Sequence, residues 1–164
     1  MILSSEEYQL AERVGEALLH TKKRLVVAES CTGGMLGSWL TAVPGSSTWF
    51  LGGVISYDNS VKEGLLQVPL ALMVEHGSVS AECALAMSQG VLSLLNADIA
   101  ISVTGVAGPG GGTDAKPVGL AYIALVGPNY EKVEQHIWHD DRHENREQSA
   151  RRALEMILEY TETL

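Results

Sequence analysis

Apolar positions fall at helical spacing near the start of the chain. Leu10, Val14 and Leu18, with Ala11 and Ala17, make one stripe, preceded by Ser4 or Ser5 as the cap and by Glu6 and Glu7 in the first turn. Lys22 and Lys23 close that helix, and the apolar run from Leu25 to Ala28 opens a first strand. Beyond Gly33 and Gly34, Met35 to Ala42 reads as a helix stopped by Pro44-Gly45. Gly53 to Tyr57 is a second strand, and Ser60 to Leu66 a short helix closed by Val68-Pro69. Ser80 caps a stronger helix running to about Leu95, with Glu82 in its first turn. Ala97 to Thr104 is almost wholly apolar, as a central strand covered on both faces must be, and it empties into a glycine-rich loop from Gly105 to Gly112.

The remaining elements set the fold class. Val118 to Val126 and Lys132 to His139 read as strands joined by Gly127-Pro128-Asn129-Tyr130, too short a connection for anything but an antiparallel pair. Arg142 to Thr161 is a final helix with Ala150, Leu154, Ile157 and Leu158 facing inward. Alternating strands and helices that end in a hairpin predict an α/β chain: a three-layer α/β/α sandwich on a mixed, mostly parallel five-stranded sheet, with an antiparallel C-terminal hairpin. The 17 Gly cluster in a few turns and no linker or repeat interrupts the pattern, so residues 1–164 are expected to form a single domain. Trp39, Trp49 and Phe50 can fill either the core or an interface, which leaves a homo-oligomer open.

Composition narrows the classes of function. A formal net charge of -9 disfavours nonspecific binding to nucleic acid, whose backbone it would repel. The basic runs Lys22-Lys23-Arg24 and Arg151-Arg152 are short and read as solvated positions. No apolar stretch approaches the roughly 20 residues of a membrane span, and the first residues lack the basic and apolar regions of a secretory signal. A cytoplasmic protein without membrane partners is therefore expected, and no disulfide between Cys31 and Cys83. His136, His139 and His143 with Asp140 and Asp141 form the one cluster of ligand types. Its spacing crosses a strand-to-helix junction, so no metal site and no cofactor is assigned.

The chemistry concentrates at strand ends. Residues 28–34 read Ala-Glu-Ser-Cys-Thr-Gly-Gly directly after the first strand. This places small nucleophilic side chains at a strand-to-helix turn, where unpaired helical N–H groups can hold an oxyanion or a phosphate. Tyr57-Asp58-Asn59, with Lys62 following, and Thr104 with its glycine loop end two other strands. In open α/β sheets ligands bind beyond the carboxyl ends of parallel strands, so the three groups converge if the strands are parallel neighbours. Ser30 is the candidate nucleophile and Lys62, rather than any of the five histidines, its candidate base, because an enclosed lysine loses proton affinity. Tyr57 can relay the proton, orient Lys62 or stack on a ring. Cys31 competes as nucleophile, although a buried inert thiol is the plainer reading. Glu29 either anchors loop amides or positions Lys62. The loop from Thr104 to Thr113 permits close backbone approach to a ligand but matches neither a P-loop nor a dinucleotide fingerprint. Arg142 and Arg146, at i and i+4, share one helix face and can clamp a phosphate or pair with Asp141 or Glu147.

Several segments together resemble the CinA C-terminal domain family: residues 28–34, Pro-Gly-Ser-Ser at 44–47, Tyr-Asp-Asn-x-x-Lys at 57–62, His-Gly-x-Val-Ser at 76–80, the glycine loop at 104–112 and Lys-Pro-Val-Gly at 116–119. The resemblance covers nearly the whole chain and implies a three-layer sandwich. It also implies an activity known in that family, hydrolysis of nicotinamide mononucleotide to nicotinate mononucleotide and ammonia, with a pyridine nucleotide as the small-molecule partner. By position it makes Ser30 the nucleophile and Lys62 the base, with Tyr57 nearby. Cys31, Thr32 and Gly33 on the turn, Asn59, and Thr104, Gly105 and Gly108 on the loop become expected oxyanion or substrate contacts. Arg142, or Arg146, is expected at the 5′-phosphate. Asp140 stands where the family pattern Gly-Asp-Arg has its glycine, adding a negative charge near that site. Many relatives carry a separate N-terminal domain, whose activity is not expected of these residues. Two other readings remain at this point: a non-catalytic nucleotide-binding or regulatory domain, and an amidase for another small amide.

Overall fold

The computed structural model describes residues 3–164; Met1 and Ile2, at the head of the segment read for a signal, lie outside them. The first helix, α1 (Ser5–Thr21), begins in a reciprocal cap. The Ser4 hydroxyl accepts from Glu7 N at 3.2 Å, and the Glu7 carboxylate accepts from Ser4 N at 3.2 Å. Its stripe of Ala11, Val14 and Leu18 is wholly buried. There follow β1 (Leu25–Glu29), α2 (Met35–Thr41), a single 3-10 turn, β2 (Phe50–Ile55), α3 (Asn59–Gly64), α4 (Leu70–His76), α5 (Ala81–Leu95), β3 (Ile99–Gly105), β4 (Leu120–Gly127), β5 (Tyr130–Ile137) and α6 (Arg142–Thr161).

One five-stranded sheet runs in the order β2-β1-β3-β4-β5. Strands β2, β1 and β3 are parallel, β4 is antiparallel to β3, and β5 to β4, so β4 alone runs against the rest. Helices α1, α2 and α6 cover one face, where Leu25, Val27, Ile101 and Val103 join Trp39, Leu154 and Ile157 in the larger core. On the other face Val26, Ala28 and Ala100 pack against Met87 and Val91 of α5. The period of two along β1 and β3 sorts these side chains between the layers. Trp39 and Trp49 are core residues, each 2% exposed.

Three details depart from the sequence expectation. Strand β2 starts at Phe50 and ends at Ile55, so Tyr57 lies beyond it. The early start follows from pairing of Phe50 with Leu25 ahead of a register shift at Val26, next to Gly52 at φ 134°. Helix α4 was not anticipated; its seven residues are too few for a periodic signal. The β4–β5 connection is tighter than expected: Asn129 adopts φ 55°, and Gly127 pairs directly with Tyr130.

Register is what builds the site. Glu29 of β1 stands opposite Ile55 of β2 and Val103 of β3. The next residue on each strand is therefore Ser30, Ser56 and Thr104, three buried hydroxyls side by side at the carboxyl edge of the parallel half.

Candidate active site

Ser30 leads out of β1 into a turn built on two glycines. Gly33 and Gly34 adopt φ 58° and 103°, a left-handed pair that glycine takes up without strain. The turn is held on all sides. Ser30 N donates to Val103 O at 2.9 Å and Gly33 N to Ser30 O at 3.1 Å. The Glu29 carboxylate accepts from Leu36 N at 2.9 Å and Gly37 N at 3.0 Å, capping α2. The first-turn amides expected to receive an oxyanion are thus already occupied, and Glu29 is an anchor. The N–H groups of Thr32 and Gly34 donate to nothing among the described residues.

Lys62 projects from α3 into the core and is only 1% exposed. Its Nζ lies 3.0 Å from Ser30 Oγ, 2.6 Å from the Ser56 carbonyl and 3.2 Å from the Tyr57 carbonyl. None of these three oxygens belongs to a carboxylate. Burial drives the Lys62 pKa below its ordinary value, opposed by Cys83, Cys31 and Asp58. A neutral amine has two N–H groups and one lone pair. With the N–H groups on the two carbonyls, the lone pair is left for the Ser30 hydroxyl proton.

The other expected residues take definite places. Cys31 is buried, and desolvation pushes its thiol up to about 11, so it is not a lowered-pKa nucleophile as a helix-terminal position would suggest. Tyr57 meets Lys62 through its main-chain carbonyl and not its phenol. That phenol is exposed and accepts from Arg142 Nη2 at 3.2 Å. Asn59 is exposed at the start of α3, where Asp58 does the capping. The Thr104 hydroxyl donates to Ser78 O at 2.8 Å, tying β3 to the segment before α5. Gly105 continues β3 with Val103, and by strand alternation its N–H faces the β1 side beyond Ser30. A side chain there would meet Leu120 O and Cys31 Sγ.

Gly108 is buried, and its carbonyl accepts from Arg142 Nη1 at 2.8 Å. Arg142 therefore bridges the glycine loop to Tyr57 at the exposed rim, in a cleft it shares with Asp140 and Asp141. Arg146 is turned inward: Nε donates to Cys31 O at 2.8 Å and Nη2 to Thr32 O at 3.0 Å. The two arginines share a helix face as expected but divide into a rim residue and a turn-holding residue. Among the described residues no group of three or more His, Cys, Asp or Glu is placed to hold a metal ion, and no helix is long and apolar enough to cross a membrane.

Two contributors escaped the sequence reading. Ser56 supplies the shortest contact to Lys62, and its own N–H and hydroxyl both reach Glu29 O, at 2.7 and 3.3 Å. Lys116 donates to His76 O at 3.0 Å and to Val79 O, pinning the return of the glycine loop to the α4–α5 junction. A lone serine past a strand gives no spacing signal. Lys116 lay inside a quoted motif, but without an expected contact.

The family described as CinA C-terminal domain matches residues 7–161. The chain belongs to that family. It is 47% identical over 151 residues to a CinA-like protein of Desulfotalea psychrophila, a match covering 92% of this chain and 37% of that one. A CinA-like protein of Citrifermentans bemidjiense is 42% identical over 159 residues, covering 97% and 38%. The chain thus spans little more than a third of the length of these relatives. Among solved structures, competence/damage inducible protein CihA from Agrobacterium tumefaciens superposes with a TM-score of 0.94 at 35% identity, covering 97% of this chain and 98% of that one. A CinA superfamily protein from Klebsiella pneumoniae gives 0.93 at 33%, covering 96% and 99%.

Proposed function

We propose that this CinA-family domain is a metal-independent amidohydrolase that cleaves the carboxamide of nicotinamide mononucleotide, giving nicotinate mononucleotide and ammonia. One observation carries the chemistry: a buried lysine amine 3.0 Å from a serine hydroxyl, with carbonyls as its only other hydrogen-bond partners among the described residues. Ser30 Oγ attacks the amide carbon while Lys62 takes its proton. Lys62 then gives that proton to the departing ammonia, and later activates the water that releases the acyl group from Ser30. Charge on the tetrahedral oxygen falls to the N–H groups of Thr32 and Gly105, each worth about 3 kcal/mol in comparable sites. Arg142, exposed and with N–H groups to spare beyond its two contacts, is the residue for the 5′-phosphate. The substrate class rests on the family resemblance and the reaction class on the geometry.

The test is ammonia release across a panel of pyridine nucleotides and unphosphorylated amides, with heats of binding followed in parallel. Release from nicotinamide mononucleotide that disappears in Ser30→Ala supports the reading. Tight binding without release would replace it with a binding-only domain, and release indifferent to Arg142→Ala would move the substrate to an unphosphorylated amide.

A further inference from the structure

The first turns of α6 grip both loops that frame Ser30. Asn145 Nδ2 donates to Ala107 O at 3.0 Å and Arg142 to Gly108 O, which fixes the glycine loop. Arg146 alone reaches the nucleophile turn, and it does so with two donors on two successive carbonyls, those of Cys31 and Thr32. A planar guanidinium on two carbonyls fixes two peptide planes at once, which a single hydrogen bond does not. In a trans peptide the N–H points opposite to the C=O. Arg146 pulls the Cys31 carbonyl toward α6, so the Thr32 N–H of the same peptide is turned away from α6.

That direction matters because of how β1 sorts its side chains. Val26 and Ala28 pack on the α5 side, and Ser30 shares their parity, whereas α6 lies on the opposite face with Val27 and Cys31. An N–H turned away from α6 is therefore turned toward the face that carries the Ser30 hydroxyl and Lys62. The donor is also free: Thr32 N–H has no acceptor among the described residues, while its neighbour Gly33 N–H is spent on Ser30 O. The Thr32 hydroxyl, wholly buried beside it, has no partner either.

We infer that Arg146 is a positioning residue, which acts through the Cys31–Thr32 peptide to aim and polarise an N–H donor at the oxygen where charge develops, and is not a phosphate ligand. The inference rests on the proposed role of Ser30 as nucleophile, though not on the identity of the amide.

The experiment separates the two roles. A fluorophosphonate probe reports the turn without the natural substrate: Ser30 Oγ bonds to phosphorus, the P–F bond breaks, fluoride leaves and Lys62 takes the hydroxyl proton. Labelling of Ser30 is followed by intact mass, beside kcat and KM for nicotinamide mononucleotide and for its dephosphorylated riboside. In Arg146→Ala, labelling and kcat are expected to fall about tenfold or more, equally for both substrates, with KM changed less than about threefold. Arg146→Lys, which keeps one charged donor, should recover part of the loss, and the thermal midpoint of both variants identifies any that fail to fold. A loss confined to KM of the phosphorylated substrate, or unchanged labelling in a folded variant, overturns the inference. If neither substrate is turned over but labelling still depends on Arg146, the amidase reading fails and the positioning role stands. Absence of labelling in the unsubstituted protein overturns both.

Discussion

Two cations in this chain sit in opposite electrostatic surroundings. Between α6 and the hairpin, Arg152 spends Nε and Nη2 on the Glu134 carboxylate at 2.8 and 2.7 Å, and Nη1 on Glu155 and Glu159 at 3.1 and 2.8 Å. Lys132 and His136 join the same Glu134. The Arg152 hydrogen bonds hold the Glu134 carboxyl far below its ordinary range, and the Arg152 pKa rises in turn. At the carboxyl edge of the parallel strands, Lys62 is more deeply buried, yet among the described residues its amine hydrogen-bonds only a hydroxyl and two carbonyls. Carboxylates bonded directly to it fix the first group as a permanent ion, whereas burial without a hydrogen-bonded carboxylate lowers the proton affinity of the second, as the proposed role of base requires. Acidic residues are plentiful in this chain, and Glu29 and Asp58 lie close by, yet neither carboxylate hydrogen-bonds the Lys62 amine.

The largest expected effects fall on the uncompensated side. Ser30→Ala and Lys62→Met should each lower ammonia release by on the order of 10³-fold or more, with circular dichroism unchanged. Arg152→Met should leave activity within about twofold. A folded Lys62→Met that keeps its rate would erase the contrast.

Next comes pH. In the proposed mechanism Lys62 acts when neutral, and burial lowers its pKa from the ordinary lysine value, so kcat/KM should rise with pH and level off below 10.5. A plateau reached only near the ordinary lysine range would break the argument from burial.

Stability gives a smaller signal on the other side. Arg152→Met should destabilise by about 1 kcal/mol, or roughly 2–4 °C in the thermal midpoint. Glu134 is more acidic folded than unfolded, so its contribution is present above the ordinary carboxylate range and is lost as pH falls below it. The difference between wild type and Arg152→Met should therefore shrink on acidification, and a difference that grew would count against the network. The least effect is expected of Cys31→Ala: a thiol pushed up to about 11 contributes no nucleophile at neutral pH, so activity should stay within about threefold. Its abolition would move the nucleophile one residue along.

How much of this could be read from the chain depends on the range of each signal. The nucleophile turn, the three strand ends and the terminal hairpin were legible because their signals are local: β-prone runs, paired glycines, a Pro-Asn turn. The meeting of Ser30 with Lys62 followed from assuming parallel neighbours, and the strand order supports that assumption. What stayed hidden was the use of main-chain atoms. Tyr57 entered as a phenol and serves Lys62 with its carbonyl; Ser56 has no motif at all. Arg142 and Arg146 looked equivalent at i and i+4, since periodicity gives the face of a helix and not the distance to the carbonyls opposite it. Helix α4 was too short to leave a pattern.

Glu29 joins segments that are far apart in the chain. Its carboxylate holds the start of α2 and its carbonyl holds Ser56. The Ser30 hydroxyl and the carbonyl that holds the Lys62 amine are thereby fastened to one residue at the carboxyl end of β1, as two jaws share a pivot. A displacement of either jaw passes through that pivot to the other, so their spacing is inherited from the strands and owes little to the loops around them.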